Sequence, residues 1–161
     1  MKLNQIKIIF SDFDGVLTDN KVYLNEEGLE SVLLNRSDGL AVQILKKNNI
    51  KILVVSTESN IVVSKRCKKI KVECHQDIEN KEIFIKDYLS NQNLNKENCI
   101  YIGNDLNDYS AMKIFKNTFC PSDSHKLIKS IATKTLKCKG GDGVLMEIIE
   151  NIDGIDLGIN L

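Results

Sequence analysis

Apolar and polar positions alternate in blocks along this chain. Short runs at Ile6–Phe10, Ile50–Ser56, Lys71–Glu73, Cys99–Gly103, Thr118–Cys120 and Thr133–Leu136 are placed as strands by their β-branched and apolar content. Between them, Leu40–Lys47, Asn60–Lys69, Lys81–Asn91, Leu106–Phe115, His125–Ala132 and Val144–Ile152 are long enough for helices and carry apolar residues on one face. In the fourth of these, Leu106, Tyr109, Met112 and Phe115 recur at three-residue steps, which predicts a stripe packed on a sheet. The alternation predicts an α/β fold: a doubly wound, Rossmann-like parallel sheet with helices on both faces. Ile6–Phe10 and Ile52–Val55 are nearly all apolar, as expected of central strands buried on both sides.

One segment interrupts the alternation. Val22–Leu24 and Ser31–Leu34, around the turn Asn25-Glu26-Glu27-Gly28, predict a β-hairpin over residues 20–34, directly after the first strand. The chain has a single Pro, and neither a linker-like stretch nor a repeat is visible, so residues 1–161 are expected to form one domain with a hairpin appendage.

Composition narrows the class. Of 161 residues, 42% are hydrophobic and 27% charged, an ordinary globular balance that argues against disorder. Lys plus Arg and Asp plus Glu both number 22, so no net charge steers the chain to nucleic acid or an anionic membrane. No apolar run approaches the ~20 residues that span a bilayer. Met1–Phe10 lacks the apolar core of a signal peptide. The five cysteines are scattered singly, which suits reduced thiols in the cytoplasm better than a disulfide framework or a zinc site. His75 and His125 have no metal-binding spacing and are expected to be structural.

The first strand runs into Asp12-Phe13-Asp14-Gly15-Val16-Leu17-Thr18-Asp19. Ligands of open parallel sheets collect beyond the carboxyl ends of the strands, where Asp12 and Asp14 fall. Gly15 lets the chain turn at once, bringing both carboxylates over one crevice. Two close carboxylates repel unless a cation sits between them, so the pair is a metal site, an acid/base pair, or both.

The string from Asp12 to Asp19 resembles the first motif of the haloacid dehalogenase superfamily of phosphatases, and the other motifs follow in order. Ser56 ends a strand as the second motif does, Lys81 opens a helix as the third does, and Gly103-Asn104-Asp105-Leu106-Asn107-Asp108 is similar to the acidic fourth. The resemblance, from about Ile6 to Glu150, implies a magnesium-dependent phosphatase. It implies Asp12 as nucleophile, Asp14 as general acid and then base, and Ser56 and Lys81 as holders of the phosphoryl group. Magnesium would lie on Asp12, the Asp14 carbonyl and the residue after Gly103. That residue is usually aspartate; here it is Asn104, an amide that brings no charge, with Asp105 or Asp108 left to supply it directly or in support.

No cap domain fits between these motifs, so cover for the crevice is expected from a neighbouring subunit's hairpin. A capless domain with a hairpin looks like the phosphatases of 3-deoxy-D-manno-octulosonate 8-phosphate, which form homotetramers. The match extends to Asp38-Gly39 ahead of Leu40 and to Gly140-Gly141-Asp142-Gly143 ahead of the last helix, a run with room for close approach to a neighbour's site. Thr57-Glu58 after Ser56, with Arg66 and Lys69, is instead similar to the branch acting on nine-carbon keto-deoxy acids, which is related to a domain of acylneuraminate cytidylyltransferases. Glu58 and Lys69 are eleven residues apart, about three helical turns, and Arg66 is one turn before Lys69, so one helix face could offer cations to a sugar carboxylate and an anion to its hydroxyls. Thr57, Glu58, Arg66, Lys69, Gly15 and Asp38 are therefore the candidate substrate-binding residues. The preferred substrate is a nine-carbon nonulosonate 9-phosphate, with the eight-carbon ester and a non-catalytic assembly module as alternatives. Ile155, Leu157 and Ile159 alternate in the tail, which could dock on another subunit.

Overall fold

The computed structural model describes residues 2–158. Six parallel strands form one sheet in the order β5-β4-β1-β6-β7-β8. They are β1 (Ile8–Ser11), β4 (Lys51–Val55), β5 (Glu73–His75), β6 (Cys99–Ile102), β7 (Asn117–Cys120) and β8 (Lys134–Thr135). The connecting helices are α1 (Arg36–Lys47), α2 (Ile61–Ile70), α3 (Lys81–Asn91), α4 (Tyr109–Met112), α5 (Lys126–Ile131) and α6 (Val144–Glu150).

Strand periodicity sorts the core into two layers. Ile9, Ile52, Val54, Ile100 and Ile102 pack on the face covered by α1, α2 and α6. Their neighbours Ile8, Phe10, Leu53, Val55 and Tyr101 pack on the face covered by α3, α4 and α5. The three central strands feed both layers in alternation, so they need apolar residues on both faces. The chain leaves β1 towards β4 and β5, then returns through α3 to β6 and builds outward to β8. The directions part between β1 and β6, which opens a crevice at their carboxyl ends.

Several boundaries differ from expectation, each for a local reason. Helix α1 begins at Arg36 because the Asn35 side chain accepts from Ser37 N at 2.9 Å, so Asp38-Gly39 lies inside the first turn, not ahead of the helix. Lys71, left-handed at φ +58°, ends α2 and delays β5 to Glu73. The segment Leu106–Phe115 is no continuous helix: a 3₁₀ turn, Leu106–Asp108, precedes the short α4. Met112 and Phe115 are buried, but Leu106 stands 53% exposed and drops out of the expected stripe.

The hairpin pairs only Tyr23–Leu24 (β2) with Glu30–Ser31 (β3), and the Asn25 carboxamide oxygen accepts from Glu27 N and Leu29 N across the turn. The glycine run closely approaches its own chain: a Cβ on Gly140 would lie 2.3 Å from the Gly15 carbonyl oxygen, and one on Gly141 2.6 Å from Asp19 N. The run thus supports the loop that follows β1. The tail also turns back on its own chain as far as Gly158. Asn48 exchanges hydrogen bonds with the Asp156 backbone, and Lys47 pairs with its carboxylate at 2.8 Å. Ile155 packs on the core and Leu157 is half exposed, whereas Ile159 falls outside the described residues.

Candidate active site

Asp12 follows β1 and continues its ladder, its N–H donating to the Ile102 carbonyl at 2.9 Å. Gly15, at φ +75°, then turns the chain, and a Cβ there would lie 1.9 Å from Asn104 Nδ2. Only glycine lets the loops after β1 and β6 meet this closely. Thr18 Oγ1 accepts from Gly15 N at 3.1 Å and donates to Asp14 Oδ1 at 3.0 Å, holding the second carboxylate over the crevice. Ser56, 1% exposed at the end of β4, accepts from Glu58 N at 3.1 Å. Lys81 opens α3 behind the capping Asn80. The fold thus brings Asp12, Asp14, Ser56, Lys81 and Asn104 to one end of three adjacent strands.

Lys81 is buried, its Nζ 2.7 Å from Asp12 Oδ1 and 2.8 Å from Asp108 Oδ1. Both oxygens of the buried Asp108 are engaged: Oδ1 also accepts from Tyr101 Oη at 2.7 Å, and Oδ2 from Asn104 N at 2.9 Å. Asp108 therefore orders the loop after β6 and holds Lys81, and offers the crevice no free oxygen. Asp105 caps the 3₁₀ turn, its Oδ1 accepting from Leu106 N at 2.7 Å, and is exposed at the cleft's edge. Sequence reasoning missed Tyr101. The signal was a phenol in an apolar strand, which needs a hydrogen-bond partner when buried.

Burial, reinforced by the Asp108 charge, pushes the Asp12 carboxyl up to about 8, against the pull of Lys81. Burial also raises Asp14, and the Glu58 and Glu30 charges add to the rise. Burial alone would lower Lys81, but Asp12 and Asp108 together outweigh it and hold the ammonium upward.

These residues fit a divalent cation. Asn104 Oδ1 is buried without a hydrogen-bond partner, and the raised Asp12 marks a carboxylate short of positive charge. Among the described residues no three His, Cys, Asp or Glu side chains cluster as a metal site, so a cation here needs amide and carbonyl oxygens as well as carboxylate. Such an all-oxygen donor set suits magnesium. Asp12, Asn104 and the Asp14 carbonyl are the residues that would hold it, at the floor of a cleft of about 360 Å³ also lined by Ser56 and Thr57.

The expected substrate face is not assembled within the chain. Helix α2 begins at Ile61, so Glu58 is not helical and the three-turn spacing to Lys69 does not apply. Glu58 folds back on the turn instead, accepting from Ser59 N and Asn60 N at 2.7 and 2.8 Å. It lines a cavity of about 260 Å³ beside Asp14, at the base of the hairpin. Arg66 and Lys69 line a separate depression with Arg36, Lys46 and Lys71. Arg66 is tied there by a 2.8 Å hydrogen bond to the Asn35 carbonyl. Asp38 is no cleft residue either: it is 1% exposed and accepts from Leu145 N at 3.0 Å, joining α1 to the start of α6.

The sequence profile of the haloacid dehalogenase-like hydrolases matches residues 62–148. The chain belongs to that family. A HAD family hydrolase from Streptomyces avermitilis superposes with a TM-score of 0.92 at 31% identity, over 98% of this chain and 90% of its own. The 3-deoxy-D-manno-octulosonate 8-phosphate phosphatase KdsC of Salmonella typhi is 28% identical over 92% of this chain and 80% of its own. The octulosonate 8-phosphate phosphatase of Moraxella catarrhalis, solved with magnesium, phosphate and KDO, shares the fold at TM-score 0.86 and 24% identity, over 91% and 84% of the two chains. In this haloacid dehalogenase-like hydrolase only the hairpin, α1 and β4 lie between Asp19 and Ser56, and only α2 and β5 between Ser56 and Lys81. The crevice has no cap within the described residues.

Proposed function

We propose that this chain, a magnesium-using phosphatase of the haloacid dehalogenase-like family, hydrolyses the phosphoester of a 2-keto-3-deoxy sugar acid through a phosphorylated Asp12. The observation that carries the reading is Lys81 in contact with Asp12 at the floor of a cleft whose other wall offers the unpartnered Asn104 oxygen. A carboxylate attacks a phosphoester dianion only where positive charge screens it, and Lys81 supplies part of that charge. Magnesium, when bound, supplies the rest and polarises the phosphoryl oxygens. Asp12 attacks phosphorus as the bond to the leaving oxygen breaks, giving an acyl phosphate. Asp14, raised towards its protonated form by burial, gives its proton to that oxygen, then takes one from the water that hydrolyses the acyl phosphate. Ser56 holds a phosphoryl oxygen.

Residues 1–161 act as one catalytic domain that assembles as a homotetramer in the cytoplasm. Support for assembly comes from Tyr23, Leu24 and Leu33 on the hairpin, each more than 60% exposed. Support for the cytoplasm comes from the five cysteines, all free. No described helix is long and apolar enough to cross a membrane. Next to Asp14 the cavity wall carries Glu30 and Glu58 and one cation, Lys21, a poor receiver for a sugar carboxylate. The cationic depression around Arg66 and Lys69 serves that carboxylate from a neighbouring subunit.

Glu58 beside the leaving group favours a nine-carbon nonulosonate 9-phosphate; the named activity of the Salmonella typhi relative favours the eight-carbon ester. Turnover of both esters and of p-nitrophenyl phosphate at fixed magnesium tests the reading. The expected result is a preference of about 100-fold or more in kcat/KM for one sugar-acid ester, reduced about 10-fold in Glu58→Arg. Equal turnover of all three would make the enzyme a generalist and sink the proposal.

A further inference from the structure

We infer that Glu30, presented by the hairpin and held by Asn60, is a specificity-determining residue that receives the uncharged, hydroxyl-bearing carbons next to the scissile phosphoester. The inference deepens the proposed sugar-acid reading and rests on it. Neither the motifs nor the spacing of charges in the sequence singles out Glu30. The fold does, by folding the hairpin so that β3 reaches the start of α2.

Three features of the cavity beside Asp14 lead there. Its volume, about 260 Å³, accommodates several hydroxylated carbons at roughly 30 Å³ for each water-sized group. Its lining pairs valine side chains (Val22, Val32, Val62 and Val63) with carboxylates (Asp14, Glu30 and Glu58), an arrangement that suits C–H faces on one side and hydroxyl donors on the other. Its charge is unbalanced, since Lys21 is the one cation among the lining residues. A second anionic group on these carbons would meet like charge, whereas a hydroxyl gains a charged acceptor. The cavity thus selects esters whose acid group lies far from phosphorus.

Within that lining Glu30 is an acceptor on the hairpin with a fixed support and a remaining capacity. Asn60 caps α2, its Oδ1 accepting from Val62 N at 3.0 Å, and its Nδ2 donates to Glu30 Oε2 at 3.0 Å. Both ends of the amide are used, so the rigid helix start fixes the carboxylate and leaves Oε1 for a ligand. Glu58 is held through Oε1, which accepts from two backbone N–H groups, and keeps Oε2 for a second hydroxyl of the same ligand. Asp14 is committed to the leaving oxygen in the proposed reaction.

The test compares kcat/KM of the wild type, Glu30→Gln and Glu30→Ala on sorbitol 6-phosphate, a polyol ester without an acid group, and on phenyl phosphate, which has no hydroxyls. The expected result is a fall of about 10-fold in the sorbitol-to-phenyl ratio for Glu30→Gln and a larger fall for Glu30→Ala. Equal losses on both esters would make Glu30 a tether of the hairpin and overturn the inference, as would an unchanged ratio in both variants. Octulosonate 8-phosphate on the wild type gives the separate readout. If neither it nor the nonulosonate 9-phosphate is a better substrate than sorbitol 6-phosphate, the sugar-acid reading fails while the Glu30 ratio remains measurable.

Discussion

The carboxyl end of β1 and β6 and the hairpin line adjoining cavities that share Asp14 and Asn20, and they are built on opposite terms. At the first, Asp12, Lys81, Tyr101 and Asp108 are all at most 3% exposed, and their charges and donors answer one another within the chain. At the second, a hairpin whose strands are two residues each carries Val22, Tyr23, Leu24 and Leu29 at 54–77% exposure. A two-stranded hairpin has little stability of its own, and its apolar surface invites a covering partner. The contrast separates chemistry from recognition. Charges that act on phosphorus must be preorganised away from water and so belong to the core of one chain. The surface proposed to read the leaving group sits outside that core, where its shape depends on what packs against it.

The largest effect is expected where the buried network meets the substrate. Asp12→Asn should lower kcat by at least about 10³-fold, since an amide cannot accept the phosphoryl group. The same change removes a carboxylate that burial and Asp108 hold up at about 8, so without magnesium the variant should melt no lower than the wild type. Activity within 10-fold of wild type would end the covalent mechanism, and a large fall in Tm would show the network to be structural first.

An intermediate effect is expected at the hairpin. In the double variant Tyr23→Ser and Leu33→Ser, light scattering should shift from oligomer to monomer. Turnover of the preferred sugar-acid ester should fall by at least about 10-fold, with p-nitrophenyl phosphate much less affected. If assembly persists, or if both substrates suffer alike, the division between the two regions fails.

The smallest effect concerns Asp38, buried beneath both regions where α1 meets α6. One oxygen accepts from Leu145 N while Oδ2 is buried without a partner, and burial raises its carboxyl from 3.8 to about 6. The native state therefore holds this proton more tightly than the unfolded chain. Its contribution is full at low pH and is lost as pH rises from about 4 through about 6. Asp38→Asn should then be the more stable protein by about 1 kcal/mol at pH 7.5, with the difference closing by pH 4 in thermal melts. A difference independent of pH would show that the carboxyl does not titrate there.

Much of this arrangement was legible in the residues. The two-sided apolar runs placed the central strands, and the turn at Asn25–Gly28 placed the hairpin, because both rest on local periodicity and backbone preference. Asp12 and Asp14 stood out as carboxylates just after the first strand, Ser56 and Lys81 were reached through the family resemblance, and the fold brings the four together. The face assumed for Glu58, Arg66 and Lys69 failed because it took one helix to span them, and the cap at Asn60 starts α2 after Glu58. Asp38 was misassigned because a carboxylate beside glycine looks the same whether it meets a ligand or a backbone N–H 107 residues later.

By itself the order of residues determined the alternation of strands and helices, the carboxylates at the end of β1 and the absence of room for a cap, since all of these follow from short-range pattern and spacing. Tertiary structure alone decided that Lys81 is shared by Asp12 and Asp108, that Asn104 presents an unpartnered oxygen and that Glu30 reaches the cavity beside Asp14. Burial, and the partners a buried charge finds, depend on segments far apart in the chain, and no local pattern encodes which of them will meet.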